Sequence, residues 1–448
     1  VRRPACPSGG GAYDVVVIGG GAAALCAALA ARQRGVSVLL VEHASPALRG
    51  GNARHGRNLR IAHDRPTRWL PERYSEGEFL SELRQATGGE MDEAVAHVLV
   101  RGSTTIVDWL ADWGVRFQAV LHGQPNHSRR TAFFLGGGKA LVNALYAAAE
   151  RLGIKILYDA EVNDLPVADA PSRMIEVIRA GQSIHVRARA VVAACGGFQA
   201  NIEWLRGIWG TAADGFVIRG TPYARGQVLR SLLDQGTAPV GDPKRLHMVA
   251  VDARSPTFDG GIVTRLDCVP YGIVVDGTGR RFRGEDADLG RTRYAIWGGL
   301  LARCPGQIAY SIFDADAQNA FASSVYPPVR ADTVAGLAAA LEIPGDALAA
   351  AICDANKRTG PDARPVRAPP FGAYPLRPGI TFSYLGVRVD TSGRVHLACG
   401  RATRGLFAAG MIMAPNVLGK GYLAGVALTI SAVSGRIAGE EAAAHARS

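Results

Sequence analysis

A chain of 448 residues is too long to close around one hydrophobic core, so two domains are expected. With 48% hydrophobic and 20% charged residues it is neither a disordered nor a fibrous chain. The net charge of +11 comes mainly from dispersed arginines with no consecutive basic run, which argues against a nucleic-acid arm and suits a small anionic ligand.

Seven cysteines (Cys6, Cys26, Cys195, Cys268, Cys304, Cys353 and Cys399) are scattered, odd in number and free of C-x-x-C pairs. That pattern opposes a disulfide framework and a structural zinc, so no metal site is expected, and a reducing cytoplasm is the simplest compartment. Residues 1–12 read as a flexible tail, and Val1 to Gly11 lacks the apolar core of a signal peptide. No run of about 18 apolar residues occurs, so no membrane span is expected.

Asp14 to Ile18 is a β-branched run of the kind buried on both faces in a parallel sheet. Gly19-Gly20-Gly21 follows, then an alanine-rich helix through Arg34 that Gly35 closes. Val36 to Val41 is a second buried strand ending at Glu42, which completes a β–α–β unit. Gly50-Gly51-Asn52 opens an arginine-rich loop that runs to about Arg73. Helical periodicity covers Glu78 to about Trp113, and Gly136-Gly137-Gly138-Lys139 opens a helix through Arg151. Strands are expected at 154–158, 174–178, 184–187 and 190–194, the last leading into Cys195-Gly196-Gly197-Phe198. From about 242 to 381 the elements are short, mixed and proline-rich, and Pro361 to Pro378 reads as a hinge or linker. Strands at 385–389 and 405–409 and a helix from Leu423 to His445 end the chain. The expected fold is α/β. A Rossmann-like domain with a parallel sheet is built from 13–241 and 382–448. An α+β capping (substrate) domain, 242–381, is inserted in it.

The motif Gly19-x-Gly21-x-x-Ala24 gives a tight turn, a close backbone approach to a pyrophosphate and a small residue for helix-on-strand packing. Phosphate belongs at the N-terminus of the helix that starts at Ala22 and Ala23, where N–H groups and the macrodipole favour anions. Glu42, about 20 residues on, is placed for ribose hydroxyls. FAD is favoured over NAD by Gly50-Gly51-Asn52, a loop that passes under pyrophosphate and isoalloxazine in flavoproteins. The short strand Gly405 to Gly410 and the turn Gly419-x-Gly421 before the last helix favour it too. The cofactor contacts expected are Gly19, Gly21, Ala22, Ala23, Glu42, His43, Gly50, Gly51, Asn52, Gly196, Gly197, Gly410, Met411, Leu418, Gly421, Tyr422 and Leu423.

Asp14–Gly21, Gly50–Asn52, Ala190–Phe198 and Gly405–Gly410 resemble the flavoprotein family of fumarate reductase and succinate dehydrogenase. The runs Gly51–Asn58, Gly136–Tyr146, Arg219–Tyr223 and Asn416–Gly425 are similar to its tricarballylate dehydrogenase branch. The resemblance spans about 13 to 445. It implies non-covalent FAD, an inserted capping domain and hydride transfer across a C–C bond near carboxylates, with Val162 against the adenine. Several positions depart from the pattern. Val417 stands where reductases carry a substrate arginine, leaving Lys420 as the nearby cation. Thr381 or Phe382 replaces a substrate histidine, and Ala317 and Gln318 stand near the position of the proton-donating arginine. Ala224-Arg225-Gly226-Gln227 replaces the branch's Gly-Asp-Gly, and Met411 an acid.

Oxidising a C–C bond needs a base, a hydride acceptor (flavin N5) and cations for the developing charge. Tyr384 is a candidate base or a packed aromatic, and Lys420 a carboxylate ligand or a surface lysine. His247 matches a substrate-contacting histidine of the family, and Glu285 an acid on its proton path or a partner of Arg281. Arg57 and Arg60 either face substrate or form a solvated basic face. The reading is a FAD dehydrogenase of a small anionic, tricarballylate-like substrate, with no nucleic-acid partner. No Fe–S or haem motif appears, so a separate acceptor (quinone, oxygen or redox protein) takes the electrons. Two alternatives remain open. One is a tailoring dehydrogenase that desaturates a C–C, C–N or N–N bond of a modified amino acid. The other, resting on charge alone, is a flavin-dependent RNA-modifying protein.

Overall fold

The structure, a computed structural model, describes residues 10–119, 129–281, 293–321, 323–357 and 365–448. The chain divides into two compact units. One comprises the chain up to Phe198 with Tyr223–Arg245 and Ser383–Ser448, the other Gln199–Pro222 and Leu246–Phe382. Sequence reading put the borders at 241/242 and 381/382 and kept 199–222 with the first unit. That segment clusters with the second unit because Val217 and Ile218 pair there with Gly379 and Ile380.

The first unit opens with β1 (Ala12–Ile18), α1 (Ala22–Gln33) and β2 (Val38–Val41). Ala12, expected in the tail, already belongs to β1; residues 1–9 lie outside the described residues. Next come β3 (Asn58–Arg60), α2 (Glu76–Thr87), α3 (Glu93–Asp112), β4 (Thr131–Phe133) and α4 (Gly137–Arg151). The helical periodicity expected from Glu78 to about Trp113 is two helices, α2 and α3. Gly88 and Gly89 take left-handed φ of 63° and 80°, and Asp92 caps the restart through a bond from Val95 N. A capping box at Ser75 and Glu78 starts α2.

Strands β5 (Lys155–Leu157), β6 (Ala160–Glu161), β7 (Arg173–Arg179) and β8 (Gln182–Ala193) follow. The two strands expected at 184–187 and 190–194 are one, β8. In the second unit lie α5 (Ile202–Trp209) and β9 (Val217–Ile218); α6 (Gln227–Asp234) returns to the first. β10 (Pro239–Asp252), β11 (Ile273–Asp276), α7 (Arg293–Leu301), β12 (Ala309–Phe313), β13 (Val329–Ala331), α8 (Val334–Leu341), α9 (Gly345–Asn356) and β14 (Phe371–Val387) come next. The chain ends with β15 (Arg394–His396), β16 (Ala402–Ala408), α10 (Pro415–Leu418) and α11 (Val426–Arg447).

In the first unit's sheet β5, β2, β1, β8 and β16 are parallel neighbours, with Val16 opposite both Leu39 and Val191. β15, β6 and β7 join antiparallel, so orientation is mixed where a parallel sheet was expected. Helix α11 lies on α1 at a distance only small residues permit. A Cβ on Gly439 would meet the Ala27 backbone, and one on Gly435 would lie 3.0 Å from the Ala23 Cα.

The second unit's sheet runs β10-β14-β12-β11, with β9 and β13 also on β14. Its period-2 alternation separates two cores. Ile273, Val275, Ile312 and Ala373 face Leu337, Leu341, Leu348 and Ile352 of α8 and α9. Val274, Phe313 and Tyr374 face Trp297 and Leu301 of α7. The stretch read as a linker is thus overturned over 371–378. Those residues are strand β14, where Pro375 lies opposite Tyr310 and its carbonyl accepts from Ala253 N. Proline is tolerated there because its carbonyl, the one backbone hydrogen-bonding group it retains, is satisfied.

The α1–α11 contact predicts that Gly439→Ala lowers the free energy of unfolding measured in urea by about 1–3 kcal/mol, because the added methyl meets backbone.

Candidate functional site

The carboxyl ends of β1, β8 and β16 carry the glycines that sequence reading singled out. Gly19 has φ of 112°, and a Cβ there would lie 2.5 Å from the Ala194 carbonyl oxygen. Gly21 is the N-cap of α1 and offers no side chain to the first-turn N–H groups at Ala22 and Ala23. Gly50 (φ 105°) and Gly51 (φ 53°) approach the same turn, and a Cβ on Gly21 would be 3.7 Å from the Gly50 carbonyl oxygen. Asn52 lies in the single-turn segment Gly51–His55 that follows. The helix start is therefore uncapped and walled by backbone, a cradle that fits a pyrophosphate.

Glu42 follows β2 and is 5% exposed. Its carboxylate accepts from Ala44 N at 2.8 Å, and burial pushes its pKa up to about 7. Tyr146, which sequence reading missed, donates its hydroxyl to the Gly20 carbonyl at 3.0 Å and is stacked under Arg49 (4.2 Å). His43 packs on Tyr223 at 5.0 Å and lies 3.9 Å from Glu161, beside the buried Val162. Gln227, at the departure from Gly-Asp-Gly, donates to Glu161 at 2.7 Å. Gly196 (φ 80°) and Gly197 continue from β8.

Gly410 (φ 74°) donates its N–H to Ser434 Oγ at 2.9 Å; its missing Cβ makes room for Ala23. Met411 follows it, and Leu418 and Val417 are buried in α10. The last helix starts at Val426, not Leu423, so Lys420, Gly421, Tyr422 and Leu423 precede it instead of forming its N-terminus. Its cap is Gly425 (φ 83°), which a left-handed turn requires. Lys420, expected to hold substrate, pairs with Glu90 at 2.9 Å, and Glu90 also binds Arg245 at 3.0 Å. Those two bonds hold the Glu90 carboxyl below its usual range. A cavity of about 540 Å³ beside them is lined by Glu90, Asp92, Asp242, Arg245 and Arg388, whose charges pair among themselves. The Tyr384 hydroxyl donates to the Gly421 carbonyl at 3.2 Å.

Arg60 is buried, and its Nη1 donates to Tyr74 Oη and to Glu82, each at 2.7 Å, while Arg130 takes the other Glu82 oxygen at 2.7 Å. A guanidinium on a buried strand must be paired, and this network pairs it. Arg57 is exposed, 5.9 Å over the Phe133 ring. Glu285 lies outside the described residues.

The second unit has its own buried polar cluster. His247 is 6% exposed and stacks on Phe382 at 4.8 Å. Burial, reinforced by the charges of Arg219 and Arg265, pushes its pKa down to about 3, so the imidazole is neutral at any physiological pH. Arg219, 7% exposed, donates to Thr381 Oγ1 at 2.8 Å and to the Gly261 carbonyl at 3.4 Å. Arg265 pairs with Asp267 at 2.5 Å. Neither arginine stood out in the sequence as a site, because a single arginine in a strand or loop carries no periodicity.

A parallel sheet ending in a glycine cradle, with a buried acid after the second strand, defines a dinucleotide-binding protein. Residues 14–428 match the model of the FAD binding domain family, and the chain belongs to that family, the flavoproteins of fumarate reductase and succinate dehydrogenase. Its cofactor is thus FAD. It is 26% identical over 459 residues to NADH:fumarate oxidoreductase of Klebsiella pneumoniae (strain 342), covering 97% of this chain and 48% of that protein. It is 27% identical over 448 residues to fumarate reductase (cytochrome) of Shewanella frigidimarina, covering 94% and 75%. The chain therefore spans about half the length of the first relative. The open conformation of a flavocytochrome c3 fumarate reductase has the same fold: TM-score 0.82, 24% identity, 98% of this chain and 80% of that one. Among the described residues, no helix is long and apolar enough to cross a membrane.

Glu42 yields a pH prediction. Its folded pKa is raised, so its contribution to apo-protein stability is present below the unfolded value of about 4.5 and is lost as pH rises through about 7. Ribose hydroxyls favour the ionised acid, so FAD affinity of the apo-protein should fall as pH drops below about 7. Glu42→Gln should flatten that dependence, weaken FAD about tenfold or more and raise apo-protein stability at pH 8 by on the order of 3 kcal/mol. Flavin fluorescence titration and urea unfolding measure the two effects.

Proposed function

We propose that the chain is a dehydrogenase that removes a hydride and a proton from a small carboxylated substrate of the tricarballylate-like polycarboxylate class. The observation carrying this reading is the second unit's cluster, in which Arg219 and Arg265 act together on the buried, neutral His247. A buried guanidinium such as that of Arg219 attracts a carboxylate strongly, and a neutral imidazole adds a hydrogen bond without a charge of its own. Fumarate, in the names of both curated relatives, is itself the unsaturated member of such a dicarboxylate pair.

Non-covalently bound FAD supplies the hydride acceptor. The Gly19–Gly21 turn and Gly50–Asn52 hold its pyrophosphate and Glu42 its ribose. Tyr384 is the candidate base; its hydroxyl donates to the Gly421 carbonyl in the structure. Val417 is apolar and buried and Lys420 is paired with Glu90, so carboxylate recognition falls to Arg219 and His247 in this reading, with Arg265, itself paired with Asp267, adding to the positive field. The six described cysteines are free, which suits a reducing compartment such as the cytoplasm. A separate acceptor takes the electrons.

Anaerobic mixing of the FAD-loaded protein with tricarballylate should bleach the oxidised flavin absorbance. Arg219→Gln should raise the concentration for half-bleaching about 30-fold or more while FAD content stays unchanged. Bleaching only by an amino-acid derivative, or an Arg219→Gln variant with unaltered response, refutes the polycarboxylate reading.

A further inference from the structure

Lys and Arg equal Asp and Glu in number in the second unit, so the whole +11 is carried by the first unit, the one that holds FAD. Arginines of the loop after Gly50-Gly51-Asn52, with Arg116, Arg129 and Arg130 from later in the chain, form two sets there. Arg60, Arg129 and Arg130 are turned to Glu82 and Glu78. Arg65, Arg68, Arg73 and Arg116 are exposed and form no ion pair with a described residue. Arg57 is exposed beside them, and the exposed carboxylates of the same loop are Asp64 and Glu72.

These arginines share one face with apolar groups. Arg68 lies 3.9 Å over the Trp69 ring, and Trp69 packs on Phe117 at 5.7 Å. Leu135 is 53% exposed, and its N–H bonds the Arg116 carbonyl at 2.9 Å. Phe134 N donates to the Arg57 carbonyl at 2.9 Å, and Arg129 Nη1 to the Arg73 carbonyl at 2.8 Å. Arginine around a tryptophan is the composition of a protein–protein hot spot, and the exposed apolar surface of Leu135 offers contact area to a protein partner that a phosphate backbone does not use. The face is continuous in the chain with the flavin cradle, since Arg57 follows Gly51–His55 after one residue, Gly56.

We propose that this arginine–tryptophan face docks an acidic one-electron carrier protein, which removes the electrons that substrate oxidation leaves on the enzyme. The proposal rests on the dehydrogenase reading. Per turnover one C–C single bond becomes double, two protons pass to solvent, and two equivalents of the carrier are each reduced once. Positive charge outside the cradle speeds encounter with a negative partner and makes the rate fall with salt.

The test uses the FAD-loaded protein reduced with dithionite, so it does not depend on the substrate. The probe is cytochrome b5, an acidic carrier, with basic cytochrome c and the small cation phenazine methosulfate as controls. Reduction of cytochrome b5 should slow about tenfold or more between about 50 and 500 mM salt. It should slow as much in the variant Arg65→Gln/Arg68→Gln/Arg73→Gln/Arg116→Gln, with flavin spectrum, thermal midpoint and phenazine rate unchanged. Arg116→Glu, away from the loop, replaces that variant if it does not fold. A variant that reduces cytochrome b5 at the unmodified rate overturns the proposal. So does a variant that keeps that rate but loses binding to phosphatidylserine vesicles or tRNA, which would make the face a membrane or nucleic-acid site. Failure of tricarballylate to bleach the flavin, with this result intact, would strike the substrate reading alone.

Discussion

Where β1 ends beside β8, a Cβ on Gly19 would lie 2.5 Å from the Ala194 carbonyl oxygen. The rest of the first unit is arranged around that approach of backbone to backbone. It lets the chain turn at once from a buried strand into α1 and leaves the helix start without a side-chain cap. The loop at Gly50 and Gly51 closes on the same point, and Gly410 admits Ala23 from a third strand end. The glycines of α11 then let the last helix lie on α1 and hold it against the sheet.

Charge is handled by two different means. In the first unit a buried acid, Glu42, stands with a backbone N–H as its described partner, and its pKa rises accordingly. Such a group is costly in the apo-protein and is relieved by a ligand with hydroxyls, so cofactor affinity and apo-protein stability are coupled with opposite sign. Arg60 shows the other means: Tyr74 and Glu82 bond it directly, and Arg130 shares Glu82 with it. In the second unit the positive field of Arg219 and Arg265 falls on a histidine that burial already keeps neutral.

The β–α–β unit, the cradle glycines and Glu42 were legible in the chain, because a buried parallel strand, a glycine turn and an alanine helix each leave a local pattern. The helix break at Gly88-Gly89 was equally local and was missed in favour of periodicity. Pro375 and Pro378 misled in the opposite direction. Their composition signals a linker, yet β14 accommodates them within the sheet. Tyr146 and Arg219 lie in runs that carry the family resemblance, but neither they nor Arg265 showed a role in the chain, since each acts on a residue outside its own local pattern.

The sequence by itself determined the class of cofactor, because pyrophosphate binding is done by a short run of backbone whose geometry only glycine at those positions allows. Only the tertiary structure decided which charged side chains are spent on one another and which remain for ligands. Lys420 and Arg60 look available in the chain and are paired in the fold, whereas Arg219 looks ordinary and is brought beside His247. The reason is physical: a charge is free or compensated according to neighbours hundreds of residues away, such as Glu90 for Lys420, and no local pattern carries that information.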